Sequence, residues 1–321
     1  MAKAGRIVFL GTGETALPAL QALLDAGHDI VKVVVRPPRS DDEEAMPEDR
    51  ADSPLAALAR EKSLAVEEVA QPDSEAFREQ LAALETDLGV VVGYGGRFPA
   101  GLLTIPRLGW IKIHFSMLPK YRGQHPLRTA LAQGEKTLGV SLIELDDGVE
   151  DSGPILMQEE TETGEHDTFG DVAPKLAELG AKMAAKTATQ LVSGKKPKKK
   201  KQSEKRAPKA MRLSRRHMRP PWWLGASAVY NRLRSMSPEP GLSCLVHRQW
   251  VRVVSGQPLE WVQSPFGEDG SYLGIRAGRL AVLCGESSVF GIERVELEGG
   301  EQLSAPDFAQ RFELSVGDRF I

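Results

Sequence analysis

The first thirty-five residues restrict the fold more than any other part of the chain. Residues 6–10, RIVFL, form an apolar, β-type run that stops at Gly11-Thr12-Gly13. ETALPALQALLDAG then sets Leu17, Leu20, Leu23 and Leu24 at helical spacing, with Gly27 placed to close the helix. A second β-branched run, IVKVVV at 30–35, follows at once. Strand, helix and strand in such close succession make a β-α-β unit, which implies a parallel sheet with a right-handed crossover.

The pattern continues. After an acidic, proline-bearing loop at 36–53 come a helix over SPLAALAREKSL with Ser53 as its N-cap, a short strand VEEV, a helix SEAFREQLAAL, and a buried strand in DLGVVVGYG. Alternation to about residue 160 predicts a doubly wound, mostly parallel α/β domain of Rossmann-like type. Ligands in such sheets bind outside the carboxyl ends of the strands, and Gly11–Gly13, Gly93–Gly95 and His114 all fall at such ends. A long amphipathic helix is predicted over 167–193. Beyond 220 the chain carries short β-type runs separated by glycine turns (LSCLVH, WVRVV, YLGIRAG, RLAVLC, SVFGIERVEL) and one short helix capped by Ser304. A small β-barrel or sandwich is expected there. The expected division is 1–193 for the α/β domain, 194–219 for a basic linker and 220–321 for the second domain.

A net charge of −3 conceals a strong asymmetry. Residues 195–219 carry thirteen Lys or Arg and one Glu, whereas 40–52, SDDEEAMPEDRAD, is acidic. The basic run reads as a solvated tether, and equally as a polycation suited to a nucleic-acid backbone, with Lys195, Lys196, Lys198, Lys199, Lys200 and Lys201 as the contact residues. Trp222 and Trp223 are read as packing residues of the second domain rather than base-stacking platforms. Hydrophobic content of 41% with 26% charged residues is that of a soluble globular protein, and no apolar run approaches the roughly 20 residues that span a bilayer. The two cysteines, Cys244 and Cys284, lie far apart without metal-ligand spacing and read as buried thiols in a reducing compartment. A cytoplasmic monomer without metal or membrane contact is expected.

Two motifs bear on chemistry. GTGETA lacks the third small residue of a dinucleotide fingerprint, and VVVRPPR supplies arginines where an acidic ribose partner is needed, so NAD binding is not expected. His114, at a strand end before a Ser-Met-Leu-Pro loop, and the acidic turn DDGVEDSGP at 146–154 together make a possible acid/base pair on adjacent strands.

The set FLGTGETALPAL, VVVGYGGRFP, IPRLGWIKIHFSMLPKYRGQHPL and TLGVSLIELDDGVEDSGPIL, with the C-terminal β-rich region, closely resembles the 10-formyltetrahydrofolate-dependent formyltransferases, and among them those whose acceptor is methionyl-tRNA. The resemblance implies a catalytic domain followed by an OB-like barrel, with 10-formyltetrahydrofolate as co-substrate, no metal, and initiator methionyl-tRNA as partner. It implies attack of an amine on the formyl carbon, with an Asn and a His stabilising a tetrahedral oxyanion and an Asp orienting the His. His114 matches that His and Asp151 that Asp. Ser116, Met117, Leu118 and Pro119 match the loop bordering the folate, and Gly93, Tyr94 and Gly95 the turn on its pterin side.

The chain departs from the family at three places. Lys112 stands where the family has Asn: it donates hydrogen bonds but accepts none, and its charge lowers the pKa of a neighbouring histidine. The turn before Ser152 is one residue longer than usual, so Glu150 stays open as an alternative carboxylate, with Asp151 favoured. The loop at 36–53, basic in the tRNA-directed members, keeps that character at its start, in Arg36 and Arg39, and is dominated by Asp and Glu beyond. A small amine acceptor, such as a nucleotide-linked amino sugar, and a non-catalytic folate- or RNA-binding role are therefore the competing readings.

Overall fold

The computed structural model describes residues 4–39, 42, 46, 52–95, 98–203, 207–260 and 267–321. Most of the acidic stretch at 40–52 lies outside these residues. The chain divides into two units, the first made of 1–127, 137–163 and 171–212, the second of 128–136, 164–170 and 213–321.

In the first unit, β1 (Arg6–Gly11) leads through a short 3-10 turn into α1 (Leu17–Asp25), which Gly27 closes at φ +79°, and β2 (Asp29–Val35) follows. Next come α2 (Pro54–Glu61), β3 (Val66–Glu68), α3 (Glu75–Ala83), β4 (Leu88–Val92), α4 (Ala100–Leu103), β5 (Trp110–His114), then α5 (Pro126–Ala132), most of which belongs to the second unit, and, again in the first, β6 (Thr137–Glu144), β7 (Ile155–Glu162) and nearly all of α6 (Phe169–Val192). Ser53 precedes α2 as expected, but its hydroxyl makes no capping bond; Ser74 does cap α3, accepting from the Phe77 N–H. The sheet order is β3-β2-β1-β4-β5-β6-β7. Strands β3 to β5 pair in parallel, while β5–β6 and β6–β7 are antiparallel. The strand order reverses direction between β1 and β4, which makes their carboxyl ends a topological switch point. There the Thr12 hydroxyl donates to Gly93 O at 2.7 Å, and Gly93, at φ +68°, lies so close to Thr12 O that an added Cβ would stand 2.8 Å from it.

Strands β4 and β5 are buried along their whole length, since layers cover both faces. One face packs Ile7, Phe9, Val90, Ile111 and Ile113 against α1, α2 and α6; the other packs Val8, Leu10, Val91, Tyr94, Phe98 and Trp110 against α3 and α4. Burying about 17 Å of each strand on both faces is what makes any charged residue within it costly.

The basic stretch beyond 194, expected to be a free tether, is anchored over its first part to the first unit. Lys200 exchanges two backbone bonds of 2.9 Å with Ile155, the Tyr121 N–H donates to Pro208 O at 2.6 Å, and the Ala210 N–H donates to Arg122 O at 3.0 Å. Composition alone hid this, because the segment is held by its backbone and by one buried side chain, Gln202, rather than by apolar burial.

The second unit contains α7 (Ala226–Met236), β8 (Leu242–Val246), β9 (Gln249–Leu259), β10 (Tyr272–Arg276), β11 (Arg279–Cys284), β12 (Ser288–Leu297), β13 (Gln302–Ser304) and α8 (Ala305–Arg311), the last capped by Ser304. The antiparallel sheet runs β10-β11-β12-β9-β8, with β13 on β12. Residues 317–321 join its two edges: Tyr272 and Gly270 bond to Gly317, Asp318 and Phe320 on one side, and Leu245 exchanges two bonds with Ile321 on the other. The last five residues thereby close the expected barrel. Trp222 is buried against Phe290 and Trp223 is exposed. Both cysteines are buried free thiols, with pKa values pushed up to about 12 by burial. No helix among the described residues is long and apolar enough to cross a membrane.

Because Phe320 is fully buried at the closure, Phe320→Ala is expected to cost the second unit about 3–5 kcal/mol, read as a lowered urea midpoint for its unfolding transition.

Candidate active site

Residues two apart on a strand point to the same face, so β5 presents Lys112 and His114 side by side at the switch-point end of the sheet. Opposite them the turn between β6 and β7 delivers Asp151. The Lys112 ammonium donates to Asp151 Oδ1 at 2.6 Å, and His114 Nδ1 lies 3.4 Å from Asp151 Oδ2. The Gly123 N–H donates to the same Oδ2 at 2.9 Å, and His114 Nε2 pairs with Tyr121 O at 2.9 Å. All three side chains are at least nine-tenths buried, whereas Glu150 is exposed. The open choice between the two acids is thus resolved in geometry: Asp151 faces the imidazole. Two backbone features aim it there. Asp151 takes φ +58°, a left-handed conformation that a non-glycine residue adopts only when its surroundings hold it. Gly153 passes so near Glu144 O that a Cβ would sit 1.9 Å from it.

Burial opposes ionisation of Asp151, but the Lys112 charge, the neighbouring His114 and the hydrogen bonds from Lys112 and Gly123 together outweigh it and hold the carboxyl below its usual range. Burial depresses His114, reinforced by Lys112 and Arg122 and opposed by Asp151 and the bond to Tyr121. The imidazole is therefore neutral at pH 7. With Nε2–H satisfied by a carbonyl, its lone pair is on Nδ1, facing the carboxylate.

The remaining sequence-predicted residues spread around this centre. Ser116 and Leu118 are buried; the Ser116 hydroxyl donates to Lys120 O at 2.7 Å, and Met117 lies across Gly139. Tyr94 sits in the core, its hydroxyl donating to Val69 O at 2.5 Å, so only its backbone reaches the strand-end turn. Arg36 donates to Gly95 O and stacks on the Tyr94 ring, and Arg39 pairs with Asp42. Both arginines predicted to meet phosphate are already engaged within the protein. Lys195, Lys196, Lys198, Lys199, Lys200 and Lys201 are exposed, with Lys199 paired to Glu144 at 2.5 Å.

Four supporting residues were not anticipated. Ser141 lies opposite His114 on β6, and Gln158 opposite Ser141 on β7. The Ser141 hydroxyl donates to Ser116 O at 2.6 Å and accepts from the Leu118 N–H and from Gln158, which also donates to Leu118 O at 3.0 Å. This polar row fixes the Ser-Met-Leu-Pro loop. The pattern TLGVSLIE, a lone polar residue in a buried strand, carried the signal. Arg122 and Gln202 complete the set: Gln202 accepts from Arg122 Nε and Nη2 and donates to Asp151 O and Gly153 O. Nothing in a lysine-rich stretch singled out Gln202.

Lys112 and Asp151 form the floor of an open cleft whose sides include Phe98, Leu145, Asp146, Val149 and Glu150. Among the described residues no group of three or more His, Cys, Asp or Glu is placed to hold a metal ion. A neutral imidazole, a cationic amine and an ionised carboxylate in one largely buried cluster can move a proton and stabilise negative charge on a carbonyl oxygen.

Comparison with known proteins places these elements. Residues 5–189 match the formyl transferase family, and residues 220–313 match its C-terminal domain. The chain is 32% identical over 321 residues to a methionyl-tRNA formyltransferase of Gluconobacter oxydans, covering 98% of this chain and 100% of that one. It is 34% identical over 313 residues to the methionyl-tRNA formyltransferase of Acidobacterium capsulatum, covering 94% and 95%. Among solved structures, HypX from Aquifex aeolicus in complex with tetrahydrofolic acid shares the fold at a TM-score of 0.60 and 17% identity, covering 98% of this chain and 48% of that chain. An N-formyltransferase from Helicobacter canadensis does so at 0.61 and 16%, covering 89% and 98%.

Two stability outcomes follow from the buried pair. Asp151→Asn leaves the Lys112 charge without its counter-ion and is expected to lower unfolding stability by about 3–5 kcal/mol in urea titrations. The depressed pKa of His114 means that the unfolded chain binds a proton that the folded one refuses, so stability falls as pH drops below 6.5. His28, also depressed by burial, acts in the same sense. His114→Gln should therefore shrink, without abolishing, the drop in Tm between pH 7.5 and pH 5.5.

Proposed function

The chain belongs to the formyl transferase family, and from that premise we propose that it transfers the formyl group of 10-formyltetrahydrofolate to the amino group of initiator methionyl-tRNA. The observation that carries the reading is the convergence of Lys112, His114 and Asp151, the first and last of which line one cleft, within the matched region of a chain that aligns end to end with methionyl-tRNA formyltransferases.

We assign the donor to the neighbourhood of this cleft, where Phe98, Leu145 and Val149 stand beside Lys112 and Asp151. We assign Ser116–Pro119 and the backbone of Gly93–Gly95, at the neighbouring strand ends, to the walls beside it. 10-Formyltetrahydrofolate supplies a carbonyl carbon at the formyl oxidation level. An ammonium has three donors, and Lys112 commits one of them to Asp151. Its charge stands ready for the negative charge that grows on the carbonyl oxygen as the amine attacks, the role that Asn plays in the family. His114 Nδ1 receives the proton of the attacking amine, Asp151 Oδ2, 3.4 Å away, stabilises the imidazolium so formed, and a proton passes to N10 as the formyl C–N10 bond breaks and tetrahydrofolate leaves. Lys112 acts in two opposed ways, since the charge that favours the oxyanion also weakens the histidine as a base.

The exposed run Lys195–Lys201 is assigned to the tRNA backbone, where each neutralised phosphate adds affinity through counter-ion release.

Purified protein mixed with 10-formyltetrahydrofolate and methionyl initiator tRNA is expected to yield formylmethionyl-tRNA. Transfer only to a nucleotide-linked amino sugar, or none to either acceptor, would overturn the assignment. His114→Ala should lower kcat by about 10²–10⁴-fold and Lys112→Met by about a hundredfold or more. Changing Lys195, Lys196 and Lys198 to Gln should weaken tRNA binding and reduce the slope of log K against log salt by about one unit per lost contact, measured by filter binding.

A further inference from the structure

Gln202 lies in the anchored stretch between the two regions that match the family, yet its side chain ends inside the candidate site. It is 6% exposed, and every polar atom of its amide is used. Nε2 donates to Asp151 O at 2.8 Å and to Gly153 O at 2.7 Å; Oε1 accepts from Arg122 Nε at 3.0 Å and Nη2 at 2.7 Å. One amide thus ties together the two loops that bracket the carboxylate. The 146–154 turn is held through its backbone on both sides of Ser152. The 119–123 loop is held through Arg122, whose neighbour Gly123 supplies the N–H that binds Asp151 Oδ2.

This arrangement matters because Asp151 is strained. A left-handed φ at a non-glycine residue costs roughly 1–3 kcal/mol and persists only where surrounding contacts over-determine it. Two bonds, one to that residue's own carbonyl and one to the carbonyl two positions on, from an amide that is itself clamped, are such contacts. Lys200, two residues earlier, is bridged to Ile155 at the other end of the same turn, so the segment that delivers Gln202 is fixed to the strand the turn leads into.

We propose that Gln202 is a positioning residue for Asp151, so that the stretch following residue 194 is part of the catalytic apparatus as well as a connector. The inference rests on the formyl-transfer reading for its kinetic consequence but not for its structural one. Two variants separate it from a plain anchoring role. Gln202→Met preserves length and removes all four bonds. Gln202→Glu keeps an acceptor for Arg122, which would hold the segment at least as well, but loses both donations to the Asp151 turn. If Gln202 positions Asp151, both variants lower kcat for methionyl-tRNA formylation by about tenfold or more, with KM for tRNA within about threefold of the parent. In both, the ¹⁵N signals of the His114 ring titrate with an apparent pKa displaced by about half a unit or more, because the carboxylate beside Nδ1 has moved. A Gln202→Glu protein with parental kcat and an unmoved His114 titration would overturn the proposal. Should the parent itself transfer no formyl group, the reaction assignment fails, and the His114 titration in the substrate-free variants still decides the positioning role.

Discussion

A cation and a carboxylate meet at 2.6 Å in the middle of a hydrophobic sheet, and much of the first unit is arranged so that they can. Lys112 is the central residue of a strand whose five residues are all buried. An ammonium in that position is tolerable only with a counter-charge in contact, because its desolvation would otherwise cost several kcal/mol. Asp151 supplies the charge, and holding it there demands a left-handed residue, a glycine two positions on that lets the turn pass under β6, and donors from Gly123 and Lys112. The polar row of Ser141 and Gln158 then fixes the loop that follows His114.

The same pair sets the electrostatics of the site. An Asn donor, as in the family, would leave the carboxylate to act on the histidine alone. Lys112 divides that influence: it holds Asp151 ionised and adds to the burial that keeps His114 neutral. In the reaction proposed above, this gives more positive charge to a developing oxyanion and a weaker base to the amine's proton. This is a different balance of the same two demands, and it is compatible with one reaction class.

Local pattern carried a good deal. The β-α-β opening, the Gly-bounded strand ends and the histidine at a third strand end were legible because strand and helix periodicities are short-range and strands buried on both faces read as continuous apolar runs. The barrel was legible as a set of short alternating runs, although its closure by residues 317–321 was not, since those residues have little strand character and pair only across the whole domain. Helix α7 was also missed: ASAVYNRLRSM has a weak apolar face between proline-rich flanks.

The site divides along the same line. His114 and a carboxylate in the 146–154 turn could be named from sequence, because the strand end and the acidic turn are conspicuous, and Lys112 through the resemblance, which puts an Asn at that position. The resemblance favoured Asp151 over Glu150, but the reason it faces inward was not visible there, since a one-residue difference in a turn decides which side chain does so and only the backbone's left-handed step shows it. Tyr94 turned into the core and Arg36 toward Gly95 for a related reason: a side chain's direction depends on what packs around it. The basic stretch went the furthest from its composition. Lysines announce solvent, and seven residues of charge and proline conceal one glutamine whose partners are 49 to 80 positions away. Sequence alone determined which chemistry the chain can hold. The tertiary structure decided which copies of that chemistry meet, because hydrogen bonds and ion pairs at such separations exist only once the sheet has brought their ends together.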